Sequence, residues 1–249
     1  MSVWGYALGS AAVISLISLI GVVTLMVGVR RLDRVVPLLI SLAVGALFGD
    51  ALIHLLPEAF EGSTSTALTS LYAISGVLVF FIMERFLHWH HQHQELTVDP
   101  PVHPVAYLNL VSDGAHNFLD GLLIGASYLV SVPIGFATTV AVAFHEIPQE
   151  QGDFGILVHA GFSPRRALLM NFLTATLALL GVVISLLVGP SVTEYTVFML
   201  PFAAGGFIYI AGSDLIPELH REREITRSVM QLAMLSIGIG LMFFILVLE

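Results

Sequence analysis

The sequence predicts an all-α membrane protein with eight transmembrane helices. Of its 249 residues, 57% are hydrophobic and only 11% are charged, whereas soluble domains carry about 25% charged residues. Apolar runs of around 20 residues, each long enough to cross a hydrocarbon core about 30 Å thick, recur along the chain. The predicted helices cover residues 5–29, 35–58, 67–87, 104–130, 133–160, 164–188, 194–219 and 226–248.

We expect residues 1–249 to form a single membrane domain, because the length suits one compact bundle. The first hydrophobic run lacks the basic segment of a cleaved signal peptide and is therefore interpreted as a span. Many acidic residues fall inside predicted spans, so the net charge of −9 does not indicate a basic partner, and we expect no nucleic-acid ligand. The domain divides into helices 1–3 at 5–87, a loop at 88–103, helices 4 and 5 at 104–160, and helices 6–8 at 164–248.

The arginines predict the orientation, because the chain has no lysine. They fall in the connections after helices 1, 3, 5 and 7, and none falls in the alternate connections. Cytoplasmic loops of membrane proteins carry the excess of Lys and Arg, so both termini should face outward. The arginines are Arg30, Arg31, Arg34, Arg85, Arg165, Arg166, Arg221, Arg223 and Arg227.

Two similar motifs predict an internal repeat. His54-Leu-Leu-Pro-Glu in helix 2 resembles Asp214-Leu-Ile-Pro-Glu in helix 7, and Gly45 matches Gly205 at the same offset. With the orientation above, helices 2 and 7 run in opposite directions, as they do in inverted-topology repeats of transporters. The pattern favours a repeat that relates helices 1–3 to helices 6–8; the alternative is a chance similarity between two helix ends that contain proline.

Helix 4 carries a polar face in the middle of an apolar run. Asp113, His116, Asn117 and Asp120 fall at i, i+3, i+4 and i+7, so all four project from one side. Ionisable groups at membrane depth cost about 2.5–3.5 kcal/mol each on insertion scales, and they usually mark an ion or proton pathway. Hydrogen bonds that join the helices are the alternative, which explains Asn117 well and Asp120 poorly.

Helix 5 carries the second polar interruption. His145 and Gln149 form one i, i+4 pair, while Glu146 and Glu150 form another that is rotated by about 100°. Pro148 has no N–H, so the helix should bend there. His145 lies about as far after the predicted turn near 131–132 as His116 lies before it, which places the two polar faces at similar depth.

The donor types at this level predict a site for a divalent metal ion. Nitrogen and oxygen ligands without sulfur suit Zn²⁺, Fe²⁺ or Mn²⁺ and suit Cu(I) badly, and the chain contains no cysteine. An ion that must be released favours a mixed, partly weak ligand set over a closed tetrahedral one. The predicted ligands are His116, Asp120, His145 and Gln149, with Asn117, Glu146 and Glu150 close by.

The predicted loop after helix 3 is rich in histidine. It reads His88-Trp-His90-His91-Gln-His93, with a further histidine at His103. Such tracts can gather metal ions through neutral imidazoles. An ordinary solvated polar loop is the alternative interpretation.

These motifs resemble the ZIP family of divalent-metal transporters in its bacterial-type, His-Glu-x-Pro-x-Glu form. The resemblance rests on His116-Asn-Phe-Leu-Asp-Gly and His145-Glu-Ile-Pro-Gln-Glu-Gln-Gly-Asp, and it extends to the ends of helices 2 and 7 and to the histidine loop. It implies a 3+2+3 arrangement of eight helices that moves Zn²⁺, or else Fe²⁺, Mn²⁺ or Cd²⁺, towards the cytoplasm. The metal would then be the cargo rather than a cofactor, and His116, Asp120, His145 and Gln149 would form the transport site.

The resemblance also implies a second, adjacent metal position, to which Asn117 and Glu146 correspond in binuclear members. Many relatives carry His or Glu where this chain has Gln149. A neutral amide binds metal more weakly than either residue, so the affinity, the metal preference and the binuclear arrangement stay open. The residue of helix 6 that completes the second position in some relatives has no acidic match here, and Asn171 is the nearest polar candidate.

A wider set of polar residues is predicted to line the pathway, although each also suits a helix end or a hydrogen bond. The set comprises Asp50, His54 and Glu58 on the external approach, Asp113 and Asn171 near the site, and Asp153, His159, Asp214, Glu218 and His220 on the cytoplasmic exit. The expected surroundings are a lipid bilayer, in a cell (inner) membrane, and the sequence allows a homodimer.

An enzymatic interpretation competes with transport. His145-Glu-x-x-Gln149 is one residue from the His-Glu-x-x-His motif of zinc metalloproteases, in which Glu is the general base. An intramembrane protease, or another membrane-embedded zinc hydrolase, is therefore the main alternative. The sequence favours a protein that is not an enzyme, because Gln149 stands where the second histidine is needed. A purely structural bundle would leave the buried carboxylates unexplained.

Overall fold

The computed structural model describes residues 2–22, 29–92, 105–191, 194–220, 222 and 224–248. Within this part the chain forms helices and no strand, so the all-α prediction is confirmed. In the first half, α1 is Val3–Ile17 with a 3₁₀ turn at Ser18–Ile20, α2 is Val29–Gly49 with its extensions Asp50–Leu55 and Leu56–Glu61, α3 is Thr66–Gln92, and α4 is Val105–Val130. In the second half, α5 is Val132–His159, α6 is Pro164–Ala175 with Leu177–Val188, α7 is Tyr195–Tyr209 with Ile210–Leu215 and Ile216–Leu219, and α8 is Ile225–Leu248.

Six of these helices are long and apolar enough to cross a membrane. They contain the stretches Val3–Ile20, Val35–Glu61, Thr66–Met83, Pro164–Ser191, Tyr195–Leu219 and Ile225–Val247. Helices α4 and α5 are long as well, with 26 and 28 residues, but they carry the two polar motifs. The two helices on which the metal site was predicted thus lie outside this set of six.

Two helices extend beyond their predicted bounds. α2 begins at Val29 instead of residue 35, so Pro37 lies inside the helix instead of near its start. α3 continues to Gln92, because the sequence offers no Pro or Gly after Gly76 until Pro100. The loop predicted from residue 88 therefore starts as helical backbone through His88, His90 and His91, while His93 and His103 lie outside the described residues.

Helices α2 and α7 each contain a π-helical turn, at Asp50–Leu55 and at Ile210–Leu215. Both turns end two residues before a proline, Pro57 or Pro217. A proline cannot donate the helical hydrogen bond and its ring crowds the carbonyl four residues earlier, so the preceding turn widens. π turns often occur at functional sites, and the turn in α2 carries Asp50 and His54.

α2 packs against α8 backbone to backbone. A side-chain carbon on Gly45 would lie 2.1 Å from the carbonyl oxygen of Leu235, so no larger residue fits there without a shift. One turn later Gly49 faces Met242, whose Cβ would lie 2.7 Å from such a carbon. The later residue of α2 thus meets the later residue of α8, so the two helices run in the same direction.

α3 packs against α7 in the same manner. A side-chain carbon on Gly205 would lie 1.9 Å from the carbonyl oxygen of Ala73. Further along both helices the rings of Phe81 and Tyr209 meet with their centroids 6.2 Å apart. α3 and α7 therefore also run in the same direction.

α4 packs closely against α6. A side-chain carbon on Gly121 would lie 2.0 Å from the carbonyl oxygen of Ala178, and one on Gly125 would lie 2.6 Å from the Cβ of Ser185. The contacts again advance together, so these helices are parallel neighbours. Because Gly121 and Gly125 must face α6, the rotation of α4 about its own axis is fixed. This rotation determines the direction in which the polar face of α4 points.

Candidate metal site

The connection between α4 and α5 is a single residue, Ser131, in extended conformation. Its hydroxyl accepts a hydrogen bond from the Ile134 backbone N–H at 3.2 Å and so caps the start of α5. A one-residue connection makes α4 and α5 antiparallel neighbours. Residues equally far from Ser131 on the two helices consequently lie side by side.

His116 of α4 and His145 of α5 face each other across this interface. Their Nε2 atoms are 3.3 Å apart. The Oδ2 atom of Asp120 lies 3.1 Å from His145 Nε2 and 3.7 Å from His116 Nε2. Three of the predicted ligands therefore direct donor atoms to one point.

Glu146 completes a group of four. Its Oε1 atom lies 3.6 Å from the Nε2 atom of His116 and 3.6 Å from that of His145. One donor atom from each of the four side chains lies within 4.8 Å of the other three, and all four residues are buried. The group offers two imidazole nitrogens and two carboxylates, a donor set that suits Zn²⁺ and similar ions.

Three of the four carboxylate oxygens in this group are without a hydrogen-bond donor in the described part of the chain. The Oδ1 atom of Asp120 and both oxygens of Glu146 accept no hydrogen bond there. Their residues are 0% exposed. An ionised carboxylate without a partner is costly to bury, and a bound divalent cation would offset that cost.

Two aromatic side chains from other helices contact the imidazoles. The ring of Phe80 on α3 meets His116 edge-on with centroids 6.1 Å apart, and Phe207 on α7 meets His145 at the same distance. Both phenylalanines are buried. Neither residue is predicted from the sequence, because a phenylalanine in an apolar helix carries no signal of a neighbouring site.

The remaining predicted ligands lie along the same two helices. Gln149 is half-buried one turn after His145, and its role as a ligand stays a prediction. Asn117 and Glu150 are fully buried, but Glu150 belongs to a second group of carboxylates with Asp113 and Asp153, and Asn117 donates a hydrogen bond to Asp113. α5 runs through Pro148 without interruption, and the bend expected there stays a prediction.

The predicted pathway residues differ widely in burial. Asp50 and His54 are buried together in the π turn of α2, with Asp50 Oδ1 3.3 Å from His54 Nδ1. The other described members range from half-buried to exposed, and the side chain of Asp214 lies outside the described part. Asn171 is buried, Glu58 and Asp153 are half-buried, and His159, Glu218 and His220 are exposed.

Comparison with known proteins assigns the chain to a family. The family model of the ZIP zinc transporters matches residues 1–105 and 90–246. A zinc transporter of Caenorhabditis briggsae, zipt-7.1, is 31% identical over 85% of this chain and 71% of its own length. Zinc transporter ZIP13 of Pongo abelii is 36% identical over 82% of this chain and 65% of its own length.

A third relative is aligned along the entire chain. The mouse (Mus musculus) zinc transporter SLC39A7 is 30% identical over 100% of this chain and 71% of its own length. Both halves of the chain, with α4 and α5 between them, thus match one family. The chain belongs to the ZIP zinc transporter family and is a multi-pass integral membrane protein.

Proposed function

We propose that this chain carries divalent transition-metal ions, primarily Zn²⁺, towards the cytoplasm through the site between α4 and α5. The observation that supports this most is the convergence of His116, Asp120, His145 and Glu146 on one buried point. The relatives that carry the name of zinc transporter support the choice of cargo. Fe²⁺, Mn²⁺ and Cd²⁺ are further candidates, since they accept the same donors.

The distance between the two imidazole nitrogens suits a metal ion with tetrahedral coordination. Zn–N bonds of about 2.0–2.1 Å in a tetrahedron place the two nitrogens about 3.3 Å apart. The Nε2 atoms of His116 and His145 are 3.3 Å apart. The separations from Glu146 Oε1 to the two nitrogens, both 3.6 Å, are slightly wider. We infer that the imidazoles hold the ion firmly and that Glu146 holds it more weakly, as release requires.

The directions of the packed helices support eight crossings with alternating direction. The parallel pairs α2–α8, α3–α7 and α4–α6 each join helices that an eight-span chain would send the same way, and α4–α5 is antiparallel. We propose that α4 and α5 cross the bilayer as well, in a 3+2+3 arrangement. Exposed Arg165 and Arg166 at the α5–α6 turn then mark the cytoplasmic side, which leaves both termini outside.

Matched packing supports the inverted repeat of α1–α3 and α6–α8. Gly45 meets the carbonyl three residues before Gly238, and Gly205 meets the carbonyl three residues before Gly76. The π turns of α2 and α7 follow these glycines at the same distance, Asp50 after Gly45 and Ile210 after Gly205. The cell membrane as location and a homodimeric assembly are further predictions from the sequence.

We propose no enzymatic activity for this chain. In a His-Glu-x-x-His metalloprotease the Glu is a general base and a second His one turn on is a ligand. Here Gln149 takes that second place, and Glu146 Oε1 lies 3.6 Å from both imidazoles, close enough to act as a ligand itself. Transport therefore accounts for more of the site than hydrolysis does.

Uptake into proteoliposomes tests the proposal. The purified chain should admit Zn²⁺ to a trapped fluorescent indicator, and His116→Ala or His145→Ala should nearly abolish the signal. Ser236→Ala is the control, because that side chain is exposed on α8 and bonds only within its own helix. Unchanged uptake in both histidine variants would exclude the site, and cleavage products without ion uptake would favour the protease.

A further inference from the structure

A second group of carboxylates lies beside the four-residue site. Donor atoms of Asp113, Glu150 and Asp153 lie within 4.8 Å of one another. Asp113 precedes His116 on α4, and Glu150 follows Glu146 on α5. Because the helices are antiparallel, both steps lead away from Ser131, by about 4.5 Å on α4 and about 6 Å on α5 at 1.5 Å per residue. The second group therefore lies about one helical turn from the first, towards the α5–α6 turn.

Neutral donors fix the carboxylate of Asp113. The Asn117 amide nitrogen donates to its Oδ1 at 2.7 Å, and the Thr174 hydroxyl of α6 donates to its Oδ2. Asp113 is 2% exposed. These contacts orient the carboxylate without neutralising its charge, which is how hydrogen bonds support carboxylates that bind metals.

Glu150 is held in the same way from α6. The Asn171 amide nitrogen donates to Glu150 Oε2 and, at 3.2 Å, to the backbone carbonyl of Glu150. The other carboxylate oxygen, Oε1, accepts no hydrogen bond from the described residues. Glu150 and Asn171 are each 0% exposed. One oxygen of Glu150 is thus anchored while the second remains available to a ligand.

The two asparagines add unpaired oxygens at the same place. Asn117 and Asn171 are anchored through their nitrogens on Asp113 and Glu150, so both amide groups lie at the cluster. Within the described residues, the Oδ1 atoms of both asparagines lack a hydrogen-bond donor. Buried polar atoms are rarely left unpaired in proteins, and each such atom requires an explanation. A cation between the carboxylates would provide a partner for all of these oxygens.

We propose that Asp113, Glu150 and Asp153 form a second cation position, with oxygen ligands alone, which receives the ion after it leaves the histidines. The proposal rests on the transport function proposed above. It shares Asn117 and Asn171 with the adjacent position that the family resemblance implies, but its charged ligands are Asp113, Glu150 and Asp153, and it does not use Glu146. Asn117 and Asn171 orient the carboxylates and offer their amide oxygens as further ligands.

The ligand chemistry gives the second position a distinct preference. Carboxylate and amide oxygens suit Mn²⁺ and Mg²⁺, whereas imidazoles favour Zn²⁺. A transition-metal ion should bind the oxygen-only position less tightly than the site with two histidines. An ion that moves between them thus passes from a stronger to a weaker site, which favours release towards the α5–α6 turn.

Binding of Mn²⁺ to the full-length protein in lipid nanodiscs tests this position. We expect the Asp113→Asn/Glu150→Gln variant to lose at least about tenfold in Mn²⁺ affinity, measured from the free-ion electron paramagnetic resonance signal. The His116→Ala/His145→Ala variant should keep a bound Mn²⁺ that shows no coupling to imidazole nitrogen. Glu61→Gln is the control, because this carboxylate is exposed at the end of α2.

The reverse pattern would overturn the proposal: Mn²⁺ binding that is lost with the histidines, or unchanged when the two carboxylates are neutralised. Each variant must elute as a single species with the melting temperature of the unmodified protein. If the double acidic variant fails this check, Asp113→Asn and Glu150→Gln are tested singly. Uptake is measured separately, so Mn²⁺ binding at the carboxylates without Zn²⁺ uptake would reject transport and leave the second position standing.

Discussion

Asp120 and His145 are in direct contact across the α4–α5 interface, with Oδ2 of the carboxylate 3.1 Å from Nε2 of the imidazole. Both side chains are buried. The same oxygen lies 3.7 Å from His116 Nε2, so this one carboxylate contacts both histidines. Asp120 is therefore the residue through which the two halves of the site are coupled.

Replacement of Asp120 should separate the effect of charge from that of shape. Asp120→Asn keeps the size of the side chain but removes the negative charge, so we expect Zn²⁺ uptake to fall at least about tenfold, a loss of about 1.4 kcal/mol. Asp120→Glu keeps the charge on a longer side chain and should retain an intermediate rate. Initial uptake rates in proteoliposomes measure both. Equal rates for Asp120→Asn and the unmodified protein would show that the carboxylate does not bind the ion.

Gln149 should set the balance between binding and release. Gln149→His replaces a weak neutral ligand by an imidazole one turn after His145, so the apparent KM for Zn²⁺ should fall. The maximal rate should fall as well, because a tighter site releases its ion more slowly. Uptake over a range of Zn²⁺ concentrations measures both constants. A KM that does not change would place Gln149 outside the coordination sphere.

The close helix contacts predict a pair of destabilising substitutions with a matched control. Gly45→Ala and Gly205→Ala would each place a methyl group about 2 Å from a backbone carbonyl, and such overpacking typically costs about 1–3 kcal/mol. Gly240→Ala should be tolerated, because nothing lies within 4 Å of a carbon at that position. Thermal unfolding in detergent measures all three. Equal melting temperatures for Gly45→Ala and Gly240→Ala would contradict the packing of α2 against α8.

The proposed orientation predicts which loops react with an impermeant thiol reagent. The chain has no cysteine, so each single substitution supplies the only thiol. Thr64→Cys, exposed between α2 and α3, should be labelled on intact cells. Ser163→Cys, exposed between α5 and α6, should be labelled only after the membrane is opened. Labelling of Ser163→Cys on intact cells would show that the α5–α6 turn faces outward. The proposed topology and the proposed direction of metal exit would then both be reversed.

The sequence predicts the meeting of His116 and His145 well, because it depends on simple geometry. A short turn joins two long helices, and residues equally distant from it must come together. The helical periodicity also places Asp120 on the face of His116. These features are local in the chain, so helix spacing is sufficient to derive them.

Contacts from distant helices could not be derived in this way. Asn171 of α6 is named only through the family resemblance. Thr174, which bonds Asp113, and Phe80 and Phe207, which border the imidazoles, belong to no motif in the sequence. The π turn at Asp50–Leu55 was likewise missed, since Pro57 alone does not distinguish a bend from a widened turn. Each of these features depends on how the helices pack, which no single helix reveals.

The most direct test is the location of Zn²⁺ in crystals of the protein soaked with the ion, by anomalous scattering at the zinc edge. We predict a peak about 2.0–2.2 Å from the Nε2 atoms of His116 and His145 and from a carboxylate oxygen of Asp120. Zinc found elsewhere in the protein, with these three side chains unoccupied at saturating metal, would contradict the account.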